Sequence, residues 1–297
     1  MLPEYSRSRL QAWIGDQSVK LDDQAVQPKH KVWGGERVSV EARAEPSQTA
    51  YRAEEIALEV LFEDDALLVV NKPAGLVVHP GAGNWEGTLL NALLHHAPQL
   101  VAVPRAGIVH RLDKDTSGLL VVAKTLIAQT DLVRQLQART VKREYLALVD
   151  GMVRQAGTVE APVGRHPVQR TKMAVVGSGK PAITHYRVLE RFAQHTLIQC
   201  SLETGRTHQI RVHMQSLGHP LLGDPVYGGK ARMLPEALRE VVRAFPRQAL
   251  HATRLGLLHP LTREAMEWQV AMPGDMQELL AVLREAQAVL EVSQERK

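Results

Sequence analysis

The segment His110-Arg111-Leu112-Asp113-Lys114-Asp115-Thr116-Ser117-Gly118 gathers an imidazole, cations and carboxylates, and runs directly into Leu119-Leu120-Val121-Val122-Ala123. An apolar run after a glycine reads as a buried strand. A carboxylate fixed at the end of such a strand is placed to act as acid, base or nucleophile. Oxygen-bearing side chains at 113, 115 and 117 with Gly118 sixth also suggest a calcium loop. Lys124 stands where that loop needs its bidentate glutamate, which excludes calcium. A plain turn, with Asp113 accepting local backbone N–H groups and Arg111 as its surface partner, explains the residue types equally well.

A second constellation is Glu203-Thr204-Gly205-Arg206-Thr207-His208-Gln209-Ile210-Arg211-Val212-His213-Met214. Its histidines raise the question of zinc, but no Cys or Glu stands at ligand spacing. Residues 210–214 alternate like a strand, which would put Gln209, Arg211 and His213 on one face and His208 on the other. An arginine between Ile210 and Val212 needs a carboxylate partner if it is partly buried. Tyr145, in Arg143-Glu144-Tyr145-Leu146, is by itself a core aromatic before it is a site residue. Two glycine-rich segments fail as nucleotide sites. In Gly81-Ala82-Gly83-Asn84-Trp85-Glu86-Gly87 the third glycine falls one residue late and no acidic partner follows. In Gly177-Ser178-Gly179-Lys180-Pro181 a proline replaces the P-loop hydroxyl and Ala174 the first glycine.

The elements that must position these groups are short strands and a few helices. Residues 58–64 and 67–73 predict two strands, 143–149 a third, and 183–192, 196–204 and 210–214 three more. The spacing of Leu132, Val133 and Leu136 predicts an amphipathic helix over 126–139, and Asp275 caps a C-terminal helix. Strands outnumber helices without alternating strictly with them, so the expected class is α+β, with a mixed, largely antiparallel sheet and flanking helices. The expected division is a small module at 1–45, a linker rich in Glu, Ala, Pro and Ser at 46–57, and a large domain at 58–292. Leu10, Trp13 and Ile14 have the spacing of one helix face and, with Ser6 as N-cap, predict a helix in the small module, followed by a Gly34-Gly35 turn and a strand from Arg37 to Val40.

At 297 residues and 44% hydrophobic content the chain can bury a substantial core. No apolar run reaches the length of a membrane span, and the N-terminus lacks a secretory signal. The single cysteine, Cys200, excludes an internal disulfide, suits a reducing cytoplasm, and reads as a small core residue on a strand. Net charge is only +4, but it is unevenly distributed. Residues 105–143 carry eight Lys/Arg against three acids, and residues 154–191 carry seven against two. A basic centre with acidic flanks points to a polyanion.

The His-Arg-Leu-Asp-x-x-Thr-Ser-Gly-Leu block resembles the signature of the RluA/RluD family of pseudouridine synthases that modify large-subunit ribosomal RNA. Three further blocks agree with it: Asn71-Lys72-Pro73 through His79-Pro80, Gly205 to Arg211, and Gly218-His219-Pro220 through Gly223-Asp224 to Tyr227-Gly228. The resemblance implies an isomerase that breaks the N1 glycosidic bond of uridine, turns the base and rejoins it through C5, with no cofactor and no metal. It implies Asp113 as the catalytic carboxylate, Arg211 as its partner and Tyr145 as the active-site aromatic. It also implies that His110 and Arg111 hold the flipped nucleotide, while Arg206, His208 and Gln209 contact substrate. Arg165 and Lys172 are expected to meet phosphates, and Asp224 to shape the wall of the site. The N-terminal module resembles part of an S4 RNA-binding domain that starts after the usual first helix, with Arg7 and Arg9 toward RNA. The expected protein is a cytoplasmic monomer acting on a stem-loop of large-subunit RNA. The alternatives are a non-catalytic assembly factor, or a synthase for another ribosomal or transfer RNA site.

Overall fold

The computed structural model describes residues 13–15, 17–27, 29–41, 51–81, 84–228 and 244–295, with side chains to 289. The chain divides into two compact units, residues 1–51 and 52–297. In the first, β1 (Val19–Leu21) pairs antiparallel with both β2 (Gln24–Ala25) and β3 (Val38–Val40). Trp13, in a helical turn, is buried. Arg7 and Arg9 lie outside the described residues.

The second unit is built on a nine-stranded sheet. Its strands are β4 (Glu59–Glu63), β5 (Leu67–Lys72), β6 (Ser117–Ala123), β7 (Lys142–Asp150), β8 (Gly157–Glu160), β11 (Ile183–Arg191), β12 (His195–Leu202), β13 (Leu250–Leu258) and β14 (Ala265–Gln269). The order is β4-β5-β6-β13-β7-β12-β11-β8, with β14 also on β13. Every pairing is antiparallel except β6 with β13, so the sheet is mixed and largely antiparallel. A small hairpin, β9 (Val163–Arg165) with β10 (Met173–Val175), stands apart.

The sheet is central because β6 is buried on both faces along all seven residues. Leu119, Val121 and Ala123 pack with Leu255 and Leu257 of β13 against Ala128 and Leu132 of α2 (Leu126–Gln137). That helix starts where Thr125 accepts the N–H of Ala128 at 3.1 Å. α1 (Leu89–His96) begins with a capping box of Thr88 and Asn91. Asn91 also donates to the Arg52 carbonyl at 2.8 Å, tying residues 52–54 to this unit. At the far end Met276, Leu279, Leu280 and Leu283 of α4 (Gly274–Glu295) pack on Leu148, Leu197 and Phe192.

One expectation fails. Residues 210–214 are not a strand but the middle of a helix, α3 (Gln209–Ser216). The alternation of Ile210, Val212 and Met214 with polar residues suggests a half-exposed strand, yet Gln209 through Met214 are all buried. The polar members find partners inside the protein, so polarity there does not signal exposure. The shared face for Gln209, Arg211 and His213 fails with it. On a helix His208 and Arg211, three apart, are the neighbours.

Gly118 marks the tightest point of the sheet, where β6 meets β13 through only the Ser117/His251 and Gly118/Ala252 pairs. Its φ is +114°, and a Cβ would lie 2.2 Å from the Ala252 carbonyl oxygen. Gly118→Ala should therefore cost about 2–3 kcal/mol of folding stability. Urea denaturation measures this, and an unchanged midpoint would contradict the close approach.

Candidate active site

Asp113 opens a turn that ends at the first residue before β6, with the Thr116 N–H on the Asp113 carbonyl at 3.1 Å. Two buried cations pin this turn through its carbonyl groups. Lys72 Nζ donates to Lys114 O at 2.9 Å, and to Pro73 O and Leu76 O at 2.7 and 2.9 Å. Burial pushes the Lys72 amine down to about 7, against the pull of Asp115 and Asp113. Arg247 donates to Asp115 O at 3.1 Å while its guanidinium forks onto Asp275 at 2.7 and 2.8 Å.

Arg211, 4% exposed on α3, meets Asp113 from the other side. Its Nη1 donates to Asp113 Oδ2 at 2.9 Å, and Nε and Nη2 fork onto Asp224 at 2.7 and 2.9 Å. Asp224 Oδ1 also accepts the N–H groups of Val226 and Tyr227. Burial opposes ionisation of Asp224, but Arg211 and these two amides outweigh it and hold the carboxyl below its usual range. Burial likewise opposes the Arg211 cation, and the two carboxylates raise its pKa above the ordinary value. Sequence reasoning gave Asp224 only a wall-forming role. The signal it passed over was an acidic residue in a Gly- and Pro-rich turn, beside a tyrosine.

That tyrosine orients His208. The Tyr227 hydroxyl accepts from Met173 N–H at 2.8 Å and shares a second hydrogen bond with His208 Nδ1, also at 2.8 Å. The other ring nitrogen, Nε2, lies 3.9 Å from Asp113 Oδ1. Burial pushes His208 down despite the nearby Asp113, which keeps the ring neutral. Arg211 sits over the Tyr227 ring at 5.0 Å.

These groups open onto a cavity of about 980 Å³, lined among others by His110, Arg111, Asp113, Tyr145, Arg143 and Arg211. Tyr145, on β7, is 6% exposed, and burial pushes its phenol up while Arg143 draws it down. Leu112, Leu202 and Leu250 supply apolar walls. The arrangement presents Asp113, anchored through a single oxygen at Arg211, an aromatic ring in the same cavity, and cations around both, while the other carboxylate on the lining, Glu203, is paired with Arg139 and His185.

The other expected contact residues divide. Arg111 is exposed at the cavity. His110 is committed to the fold: its Nε2 accepts from Val121 N–H at 3.1 Å, and burial pushes it down to about 3, helped by Arg143. Gln209 accepts from Thr204 and Arg206 and donates to Ile183 and Thr184, so its amide serves the protein interior. Arg206 lines the cavity and donates to Pro181 O. Arg165 and Lys172 lie on the β9–β10 hairpin and its connecting turn, donate to Arg170 O and Val226 O, and are not among the cavity-lining residues. His213 bonds Thr184 and Ala161 through its two ring nitrogens. Among the described residues no cluster of His, Cys, Asp and Glu is arranged to hold a metal ion. Cys200, with its thiol pushed up to about 12 by burial, is a core residue.

The RNA pseudouridylate synthase family profile matches residues 66–216, and the chain belongs to that family. It is 61% identical over 96% of its length to the ribosomal large subunit pseudouridine synthase D of Nitrosomonas europaea, covering 82% of that protein. It is 56% identical, also over 96%, to the protein of the same name from Pseudomonas aeruginosa, covering 90% of it. Human RNA pseudouridylate synthase domain containing 4 superposes with a TM-score of 0.60 at 26% identity, over 76% of this chain and 93% of that one. Domain containing 1 gives 0.57 at 28% identity, over 78% and 96%.

Two predictions follow from the charges. Asp224→Asn removes half the charge that compensates a buried arginine and should cost about 3–5 kcal/mol of stability. Asp113→Asn should cost less, because Asp113 borders the cavity and water can replace it. Denaturant unfolding of the pair decides, and equal losses would contradict the division of roles. His110 stays neutral in the fold down to about 3 but protonates near 6.5 when unfolded. Its contribution is thus complete above about pH 6.5 and is lost progressively as pH falls toward 3. Stability measured from pH 7 to 4.5 should fall less steeply in His110→Asn than in the wild type, and parallel curves would contradict the buried acceptor role.

Proposed function

We propose that the chain isomerises uridine to pseudouridine in large-subunit ribosomal RNA, with Asp113 as the catalytic carboxylate. The observation that carries this reading is Asp113 held at 2.9 Å by Arg211 in one cavity with Tyr145. The names of relatives above 50% identity supply the substrate class. One reacting carboxylate suits an isomerisation with no external nucleophile, whereas glycoside hydrolysis pairs two at fixed separation, and Glu203, also on the cavity lining, is held in pairs with Arg139 and His185.

In this reading the target base leaves the RNA stack to reach Asp113. Exposed Arg111, and not the internally bonded His110, takes the space it vacates. Tyr145 lies against the flipped uracil. The N-terminal unit is an S4-like RNA-binding module that adds affinity for structured RNA, with Lys29, Lys31 and the exposed Trp33 on its surface. A ribosomal RNA substrate supports a cytoplasmic location for the protein.

Asp113→Asn should abolish tritium release from RNA labelled at uracil C5, with RNA affinity within several-fold of wild type. Substantial turnover by this variant would remove Asp113 from the mechanism. Mapping pseudouridine across large-subunit RNA from cells lacking the protein identifies the sites.

A further inference from the structure

Arg143 is a buried cation for which the described residues supply no counter-ion. It is 7% exposed, and its Nη2 donates to the carbonyls of Glu203 at 3.0 Å and Leu202 at 3.5 Å. Nε has no hydrogen-bond partner, and no hydrogen bond reaches Nη1 among the described residues. Nη1 lies beneath Gly205, where a Cβ would sit 2.8 Å from it. Any side chain at 205 would crowd this end of the guanidinium.

Arg143, Gly205, His110 and Tyr145 line the same cavity. Arg143 and Tyr145 are two residues apart on β7, hence on one face of the sheet. Burial lowers the Arg143 pKa from its ordinary value, and its charge lowers that of His110. Burying a cation unpaired costs several kcal/mol, so a partner arriving with the substrate would be held strongly. Phosphates of an RNA have exposed cations to meet, Arg105 and Arg111 among them. The part of a flipped nucleotide that reaches a buried group beside Tyr145 is the base.

We infer that Arg143 is a further catalytic residue, whose guanidinium meets a carbonyl oxygen of the uracil and stabilises the charge the base acquires when the N1–C1′ bond breaks. This rests on the uridine-isomerisation reading above. The electron pair of that bond stays with the base, as an anion delocalised over N1, O2 and O4. C5 then bonds to C1′, the C5 proton leaves, and a proton returns to N1. Atoms and electrons balance without a co-reactant, whether Asp113 acts as nucleophile or as base. A neutral carbonyl gains less from Arg143 than the anion does, so the interaction lowers the barrier more than it tightens binding.

The test compares the full-length wild type with Arg143→Gln, Arg143→Lys and Gly205→Ala on a stem-loop RNA carrying uridine or 5-fluorouridine at the target position. Cleavage of the N-glycoside is followed by chromatography of digested nucleosides, with thermal melting as the fold control. Fluorine stabilises the uracil anion by itself and lessens the need for Arg143. Arg143→Gln should lower kcat on uridine about 10²-fold with KM near wild type. Its deficit on 5-fluorouridine should be several-fold smaller, and Arg143→Lys should recover part of the loss. Should Arg143→Gln fail to fold, Gly205→Ala gives the same selective relief to a smaller extent, since Gly205 has no positive φ to strain. Equal deficits on both substrates would overturn the proposal. So would an unchanged kcat with weaker binding and a shallower salt dependence, the signature of a phosphate contact. A wild type that converts no uridine would defeat the activity reading itself, a result distinct from both.

Discussion

The site depends on one arginine shared between two carboxylates of unequal freedom. Asp224 is saturated: its side chain has no exposure, it carries the Arg211 fork, and it takes two backbone amides. Asp113 takes a single hydrogen bond from the same guanidinium, through Oδ2. Because a guanidinium is planar and rigid, fixing two of its nitrogens on Asp224 fixes the direction of the third. The carboxylate at the cavity is thereby aimed by a loop more than a hundred residues further along the chain. That loop also supplies Tyr227, which packs on Arg211 and orients His208 by a hydrogen bond to its Nδ1.

The turn that carries Asp113 is held from the opposite side by a different device. Lys72 and Arg247 bind main-chain carbonyls of residues 114 and 115 and leave the Asp113 side chain free. Cations on carbonyls fix the backbone without neutralising the carboxylate. Arg247 is itself anchored to Asp275 in the first turn of α4, so the C-terminal helix, through its packing on β7 and β12, stiffens the turn. The restraint therefore comes from the core, as a site held to within a fraction of an ångström requires.

The order in which these pieces became legible follows from the range of each interaction. A polar turn before an apolar strand is a local pattern, so the turn at Asp113 and β6 were readable from residues 110–123. The antiparallel majority followed from short strands without alternating helices. α3 was misread because binary patterning assumes polar residues seek water, and there Gln209, Arg211 and His213 are buried among protein partners. The Arg211–Asp113 pair spans 98 residues, beyond any periodicity, and only the family resemblance suggested it. Nothing in Arg143-Glu144-Tyr145 reveals that its arginine lacks a partner, since that depends on where Glu203 and Gly205 fall once β12 is in place.

Charge in the middle of the chain also separates into two populations that composition merges. Arg105 and Arg111 are exposed, while Arg165 on its separate hairpin is exposed but engaged with a main-chain carbonyl. Arg143, Arg211 and Lys72 are buried, and each is committed to a carbonyl, a carboxylate or the cavity. Mobile ions screen the first group strongly and reach the second hardly at all. The basic centre seen in the sequence is thus two sets of cations, exposed and buried, and ionic strength acts on the first while leaving the second in place.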